Sequence, residues 1–243
     1  MATAPPVSPP ASSPASSTEA RPDADPGGGS DDGSGAPFSA GFQAELERLM
    51  CWRRDVRHFR PDPVPEALLA EALASFALAP SVGLSEPWRL VRLGTTAARR
   101  AIQQNFEAAN AEALAGYAGE RAALYARLKL AGLDAAPVQL SVFCDEATTQ
   151  GHGLGAATMP EARAYSVVAG IQNFWLAARA RGLGVGWVSI LDPGALSEAL
   201  ALPTAWRFVG HLCIGWPAAE SETPELERAG WERRSGSPQI LER

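Results

Sequence analysis

Residues 53 to 59, with the sequence RRDVRHF, place one carboxylate among three guanidinium groups. Arg53, Arg54 and Arg57 surround Asp55 in this segment, and Trp52 and Phe59 flank it. Because the guanidinium fork matches the oxygens of a phosphate, the cluster could anchor a planar or phosphorylated ligand. Charge clusters that follow a helix are, however, as often solvated surface features. The segment is therefore a candidate anion site, with a surface cluster as the alternative.

A second candidate is the segment APSVGLSEPWR, which lies between a predicted helix and a predicted strand. Ser81, Ser85 and exposed backbone amides could contact the polar edge of a ring, and Gly83 would permit close approach. Ordinary turn chemistry would explain the same residue types.

The segment GLGVGWVSIL carries a lone G-x-G that runs into a predicted strand. A dinucleotide fingerprint requires a third glycine and a following helix, so we reject that interpretation. Ser189 interrupts the apolar strand and would need a hydrogen-bond partner if buried. No G-x-S-x-G motif surrounds it, which argues against a serine hydrolase.

Metal ligands and disulfides are not indicated. The three cysteines and three histidines are widely separated and lack the spacing of zinc ligands. We expect no metal and a reducing, cytoplasmic environment.

The elements that must position these residues are helices and strands without a regular βαβ order. Apolar residues at helical spacing predict helices in FQAELERLMCWRRD, PVPEALLAEALASFALAP and the short PGALSEALAL. A long helical stretch from residue 96 is interrupted at Gly116 or Gly119, and the stripe from Val167 to Leu176 predicts a buried helix with a glycine at its C-terminal cap. WRLVRLG, PVQLSVFC, VGWVSIL and WRFVGHLCIGWP predict strands, so the fold class is α+β.

The composition excludes several classes of protein. The chain has 243 residues and a formal net charge of -6, whereas a nucleic-acid-binding surface is basic. No apolar run reaches the roughly 20 residues that span a bilayer. We expect no nucleic acid and no membrane as partners.

Composition also divides the chain. Residues 1–39 are rich in Pro, Ser and Gly and carry almost nothing apolar, which predicts a disordered extension. We predict one domain over residues 40–234, including a helical segment at about 96–133, and a flexible tail over 235–243.

Four segments in this order resemble the nitroreductase-like flavoproteins, and more closely their 5,6-dimethylbenzimidazole synthase branch, known as BluB or flavin destructase. They are RRDVRHF, APSVGLSEPWR, SVVAGIQNFWLAARARGLGVGWVSIL and the closing CIGWP with PELERAGWERR. The resemblance implies an α+β homodimer with a central mixed sheet flanked by helices and a flavin site at the subunit interface. Segment 96–133 corresponds to the family's lid over the flavin.

The same resemblance implies the reaction. Reduced FMN is the substrate, O2 is the co-substrate, and the products are 5,6-dimethylbenzimidazole and erythrose 4-phosphate. Dimethylbenzimidazole is the lower ligand of vitamin B12. A separate NAD(P)H-dependent flavin reductase would supply FMNH2.

Two catalytic residues follow from the resemblance, Asp55 and Ser189. Asp55 stands where relatives usually have serine, and it would act as a general acid or base while the ribityl chain is cleaved. Its neighbouring arginines should keep it ionised. Ser189 would hydrogen-bond the ring. The expected flavin-binding residues are Arg53, Arg54, Asp55, Val56, Arg57, Ser81, Val82, Gly83, Ser85, Pro87, Leu130, Gly186, Ser189 and Arg233.

Two alternatives remain open from the sequence. One is an NAD(P)H-dependent nitroreductase or flavin reductase, against which Asp55 and Ser189 argue. The other is a flavin-binding dimer without turnover.

Overall fold

The computed structural model describes residues 38–127 and 132–243. Gly41–Arg243 forms one compact unit. The predicted extension lies almost entirely outside the described residues, and so does Leu130. Within the described part, no helix combines the length and the apolar character that crossing a bilayer requires.

Helices occupy most of the chain outside the sheet. Their bounds are α1 Ala40–Trp52, α2 Glu66–Leu73, α3 Thr96–Ala115, α4 Gly119–Arg127, α5 Gly132–Ala135, α6 Ala162–Ala180, α7 Pro193–Ala199 and α8 Glu225–Arg228. Two 3₁₀ turns cover Ala74–Leu78 and Val82–Leu84. The predicted interruption of the long helical stretch is confirmed, since α3 ends before Gly116 and α4 begins at Gly119.

Four strands form one antiparallel sheet. They are β1 Trp88–Arg92, β2 Val138–Asp145, β3 Gly184–Val188 and β4 Trp206–Gly215. Their order is β1-β2-β4-β3, so β1 and β3 lie at opposite edges. With helices on both faces of this sheet, the α+β prediction is confirmed. The expectation of a mixed sheet is wrong for these four strands, which all pair antiparallel, and the parallel pairing among the described residues is the Asp55–Val185 bridge.

Helix α6 covers one face of the sheet and is the centre of the larger core. Val167, Ile171 and Phe174 recur at helical spacing and are fully buried there. The helix ends as predicted: Gly182 has a φ of +80°, Gly182 N–H donates to the Arg179 carbonyl, and Leu183 N–H donates to the Ala178 carbonyl. This is the Schellman arrangement, in which a glycine adopts the left-handed conformation.

A smaller core lies on the opposite face of the sheet, among β2, β4, α3 and α7. Ile102, Phe143 and Leu196 are buried in it. Its buried polar members include Ser141 and His211, whose Oγ and Nδ1 atoms lie 3.0 Å apart. This core is therefore partly polar.

Two expectations about elements need correction. The predicted α2 helix ends at Leu73 and continues as a 3₁₀ turn. Strand β3 ends at Val188, so Ser189 follows the strand and is exposed instead of interrupting it. The stripe from Val167 to Leu176 packs largely into the chain's own core, as predicted, and the exposed side of α6 carries Tyr165 and Val168.

Candidate active site

The segment after α1 attaches to the edge of the sheet. Val56 N–H donates to the Val185 carbonyl at 3.0 Å, and Asp55 forms a parallel bridge with Val185. Gly186 permits this contact, because a Cβ atom there would lie 2.1 Å from the Val56 carbonyl oxygen. The glycine predicted to bind flavin therefore has a structural role in holding Asp55 against β3.

Asp55 is held by one backbone donor and one guanidinium. Trp187 N–H donates to Asp55 Oδ1 at 2.8 Å, and Arg57 Nε donates to Oδ2 at 3.3 Å. The Asp55 side chain keeps 37% of its area exposed, whereas the Arg57 side chain keeps 11%. These two donors thus fix the orientation of the carboxylate, and one side of it stays accessible to solvent.

Opposing effects set the pKa of Asp55. Burial raises it above the ordinary value of 3.8, and the hydrogen bond from Trp187 N–H and the charge of Arg57, which both lower it, do not cancel that rise. Arg57 therefore acts in the direction that the sequence predicted, but desolvation outweighs it, and the ionised state of Asp55 stays a prediction. A raised pKa makes the carboxylate a stronger base once it is ionised.

The other arginines spread away from Asp55. The Arg53 guanidinium lies 4.9 Å from the ring centre of Trp175 on α6. Arg54 Nε donates to the Glu222 carbonyl at 2.7 Å. Burial and then the positive charges of Arg234 and Arg53 lower the pKa of Arg54. Arg53, Arg54 and Arg234 therefore form a group of like charges.

A cleft with a volume of about 90 Å³ opens beside this group, between residues 52–58 and residues 217–228. Arg54, Asp55 and Arg57 line one side, and Glu220 and Glu225 line the other. A smaller space lies directly beneath Asp55, where Gly132 and Cys213 approach it. Burial and the negative charge of Asp55 raise the pKa of the Cys213 thiol to about 12, so it stays protonated.

The second predicted segment docks elsewhere on the molecule. Val82 N–H donates a hydrogen bond to Ser166 Oγ, near the start of α6, at 3.0 Å. Gly83 packs against the loop at residues 151–155, where an added Cβ would lie 2.8 Å from the Leu154 carbonyl oxygen. Glu86 faces Gln150, which donates to its carboxylate at 3.3 Å.

Two serines of this segment differ in their surroundings. Ser81 Oγ accepts a hydrogen bond from Glu86 N–H at 3.2 Å. Ser85 is only 3% exposed, and its hydroxyl has no hydrogen-bond partner in the part of the chain that the structure describes. Its side chain is therefore buried within the chain, and its contact with flavin stays a prediction. Pro87 follows, and its carbonyl accepts from Asp145 N–H at 2.7 Å.

The two predicted segments do not meet within one chain. The loop at residues 81–87 leads into β1 at one edge of the sheet, and Asp55 joins β3 at the other. With neighbouring strands about 4.8 Å apart, four steps separate them by roughly 19 Å. A flavin ring held at Asp55 could contact such a loop only if a second copy supplied it.

Ser189 lies close to Asp55 along the chain direction of β3. It follows Trp187, whose amide binds the Asp55 carboxylate, by two residues, which is about 7 Å in a strand. Ser189 is exposed, so its hydroxyl is accessible to a ligand.

Sequence patterns missed two contributors to this site. The Trp187 amide is a backbone group, and strand register alone decides which amide meets Asp55. Arg234 was also missed. Arg233 was predicted instead, and its backbone N–H donates to Glu232 Oε1 at 3.0 Å, whereas Arg234 lies near Arg54. The sequence offered one signal for Arg234, since it directly follows the predicted Arg233 in the segment ERR at residues 232–234.

Comparison with known proteins identifies the family. The family model described as "Nitroreductase family" matches residues 50–216, which include the Asp55 segment, the loop at residues 81–87 and all four strands. The chain belongs to the nitroreductase family.

Within that family, similar relatives share one name. A 5,6-dimethylbenzimidazole synthase of Rhodospirillum rubrum is 57% identical over 206 residues, covering 85% of this chain and 98% of the relative. A protein of the same name from Rhodobacter capsulatus is 50% identical over 187 residues, covering 77% of this chain and 90% of the relative. The chain therefore falls in the 5,6-dimethylbenzimidazole synthase branch of the nitroreductase family.

A solved structure supports the fold. Iodotyrosine deiodinase, in a crystal structure described as bound to FMN and 3-iodo-L-tyrosine, superposes with a TM-score of 0.63 at 19% identity, covering 82% of this chain and 97% of that one. At this identity the likeness establishes the nitroreductase-like fold.

Proposed function

We propose that this enzyme fragments reduced FMN with O2 into 5,6-dimethylbenzimidazole and erythrose 4-phosphate, and so supplies the lower ligand of vitamin B12. The observation that carries the proposal is Asp55, a carboxylate oriented by Trp187 N–H and Arg57 at a position where nitroreductases usually have serine. The name shared by the relatives from Rhodospirillum rubrum and Rhodobacter capsulatus supports it.

The residues near Asp55 suit a flavin phosphate. Arg53, Arg54 and Arg234 bring three guanidiniums together, and burial already lowers the pKa of Arg54. A phosphate dianion would reduce the repulsion among these charges and accept hydrogen bonds from their N–H groups. We infer that this cluster holds the phosphate and that the cleft beside Asp55 admits the ring and ribityl chain.

Asp55 is the proposed proton acceptor. The reduced flavin supplies the electrons for O2 and the carbon atoms of the product. Cleavage of ribityl carbon bonds requires removal of protons, and a partly desolvated carboxylate with a raised pKa is well matched to that task. Ser189, exposed just beyond Trp187, would hydrogen-bond the ring, and α3 and α4 would exclude water.

We further propose that the working form is a homodimer. The loop at residues 81–87 and Asp55 lie at opposite edges of the sheet, so a complete site needs the loop of a second copy. The exposed side chains of Leu84, Leu154, Tyr165 and Val168 offer an apolar surface around that loop. Burying such a surface against its symmetry-related counterpart would stabilise the dimer.

FMNH2 would come from a separate NAD(P)H-dependent flavin reductase. In this proposal flavin is consumed, so each turnover needs a new reduced molecule. Bound FMN that NAD(P)H bleaches directly would instead favour the flavin-reductase alternative.

The decisive experiment is a single turnover. The protein is loaded with FMNH2 without oxygen, air is admitted, and dimethylbenzimidazole and erythrose 4-phosphate are quantified by mass spectrometry. We expect both products in near-equal amounts, and none from FMNH2 and air without protein. Quantitative return of intact FMN would overturn the proposal and leave a reductase or a non-catalytic binder.

A further inference from the structure

An aromatic cluster joins the helical segment to the carboxy-terminal residues. Tyr117 and Tyr125 stack with their ring centres 4.9 Å apart, and Trp231 packs edge-on to Tyr117 at 5.6 Å. Arg121 lies over the Trp231 ring at 5.0 Å and donates to the Trp231 carbonyl at 2.7 Å. Tyr125 also donates to Asn110 Oδ1 at 2.9 Å, which ties α4 to α3.

Trp231 reaches this cluster because of the way α8 ends. Gly230 has a φ of +76°, Gly230 N–H donates to the Glu227 carbonyl, and Trp231 N–H donates to the Leu226 carbonyl at 2.8 Å. The Schellman arrangement turns the chain away from the axis of α8. The sequence ELERAGW forms this arrangement, which places the Trp231 indole against α4.

The residues just after Trp231 lead to the arginine cluster. Arg234 Nε donates to Glu227 Oε2 at 2.9 Å, so its guanidinium is fixed to α8. The positive charge of Arg234 lowers the pKa of Arg54, whose side chain donates a hydrogen bond to the Glu222 carbonyl. Only two residues, Glu232 and Arg233, therefore lie between the contact with α4 and the contact with the proposed phosphate site.

We propose that Trp231 is a positioning residue that couples docking of α4 to phosphate binding by Arg234. When Trp231 sits between Tyr117 and Arg121, the short segment to residue 234 holds the guanidinium beside Arg54. A phosphate bound there would in turn favour the docked arrangement of α4, because coupling between two sites is reciprocal. The inference rests on the proposed flavin substrate for the identity of the anion, and on the described contacts for the coupling.

The test combines two measurements, the binding of two flavins and amide hydrogen exchange. FMN carries the phosphate and riboflavin lacks it, so the ratio of their dissociation constants reports the phosphate contact. Amide hydrogen exchange of residues 117–125 in the flavin-free protein reports the docking of α4. The variants are Trp231→Ala, Trp231→Phe and Arg234→Gln, and Arg233→Gln compares the neighbouring position that the resemblance implied. Arg100→Ala and Gln104→Ala, two exposed positions on α3, are the controls.

We expect Trp231→Ala to speed exchange in residues 117–125 and to lower the preference for FMN over riboflavin by about tenfold, as loss of a cation–π and an aromatic contact would do. Arg234→Gln should lower the same preference without affecting exchange in the flavin-free protein. Trp231→Phe should restore most of both properties, and the two controls should leave both unchanged.

Three results would overturn the coupling. One is an unchanged flavin preference in Trp231→Ala despite faster exchange, which would make Trp231 a packing residue only. Another is unchanged exchange in that variant. The third is loss of the FMN preference in Arg233→Gln and not in Arg234→Gln. A wild-type protein that binds neither FMN nor FMNH2 would instead overturn the proposed function, and with it the coupling.

Discussion

Single residues at this site combine opposing electrostatic effects. Asp55 accepts hydrogen bonds from Trp187 N–H and Arg57, both of which favour its charged form, yet burial raises its pKa. A base of this kind is strong because its charged form is only partly compensated. His211 shows no such opposition, because burial and the positive charge of Arg99 both lower its pKa.

Asp55→Asn should retain the shape of the side chain and remove the base. We expect the variant to bind FMNH2 and consume O2 but to form dimethylbenzimidazole about 100-fold to 10,000-fold more slowly. In the wild-type protein the single-turnover rate should rise with pH through an apparent pKa above 3.8, since only the ionised carboxylate accepts a proton. The exposed Asp62 provides the control variant Asp62→Asn. Near-normal product formation by Asp55→Asn would show that Asp55 is not the base and only balances the charge of its neighbours.

His211 should make the stability of the fold depend on pH. Burial lowers its pKa from 6.5 to about 4, so between these values the unfolded chain binds a proton that the folded chain does not. The unfolding free energy should therefore fall as the pH decreases through this window, by up to about 3 kcal/mol.

Chemical denaturation of the wild-type protein and of His211→Asn, each at several pH values between 4 and 7, measures this effect. The variant should lose the His211 share of the slope, while His58→Asn, which changes an exposed histidine, should keep it. Parallel slopes for the wild-type protein and His211→Asn would show that other groups cause the pH dependence.

Neighbouring elements are held in place by close backbone contacts. Gly151 and Gly83 approach so closely that a Cβ on Gly151 would lie 2.3 Å from the Gly83 carbonyl oxygen. Gln150 adds a hydrogen bond to the Leu84 carbonyl at 2.8 Å. The loop at residues 151–155 thus supports the loop at residues 81–87, which the proposed dimer would present to the partner's flavin.

Gly151→Ala tests this support. It should lower the unfolding free energy by roughly 1–3 kcal/mol through backbone strain and displace the loop at residues 81–87, with weaker FMN binding. Gly153→Ala is a matched control, because Gly153 has a similar φ of +76° but an added Cβ would meet only Ala157, at 3.9 Å. Calorimetry and flavin titration should show a clearly larger loss for Gly151→Ala. Equal losses would mean that φ alone, and not the contact, determines the effect.

At the scale of the whole molecule, one chain holds only part of the proposed site. The exposed face of α6 presents Tyr165 at 58% and Val168 at 42% exposure, and the nearby Leu84 and Leu154 are 76% and 74% exposed. An apolar surface of this kind beside a half-site is consistent with the proposed homodimer.

Val168→Asp should disrupt that dimer, since the surface would have to bury a charge. We expect a monomer in analytical ultracentrifugation, FMN binding weakened by at least about tenfold, and an unchanged far-ultraviolet spectrum. Ala108→Asp, on the exposed side of α3, is the control and should remain dimeric. A Val168→Asp dimer with normal FMN affinity would contradict the shared site.

The sequence by itself determined the local elements and the family. The spacing of Val167, Ile171 and Phe174, the cap at Gly182 and the break at Gly116 each depend on residues a few positions apart, so they could be predicted from the printed sequence. The motifs around Asp55 indicated the nitroreductase family for the same reason.

Only the tertiary structure decided how the site works, because burial and charge depend on residues distant in the chain. Asp55 meets the amide of Trp187, 132 positions away, and burial by such contacts reverses the pKa shift expected from its neighbours. Packing placed Ser85 in the interior and Ser189 at the surface, and the strand order separated the loop at residues 81–87 from Asp55. Side-chain periodicity cannot encode these outcomes, since each follows from which elements come together in space.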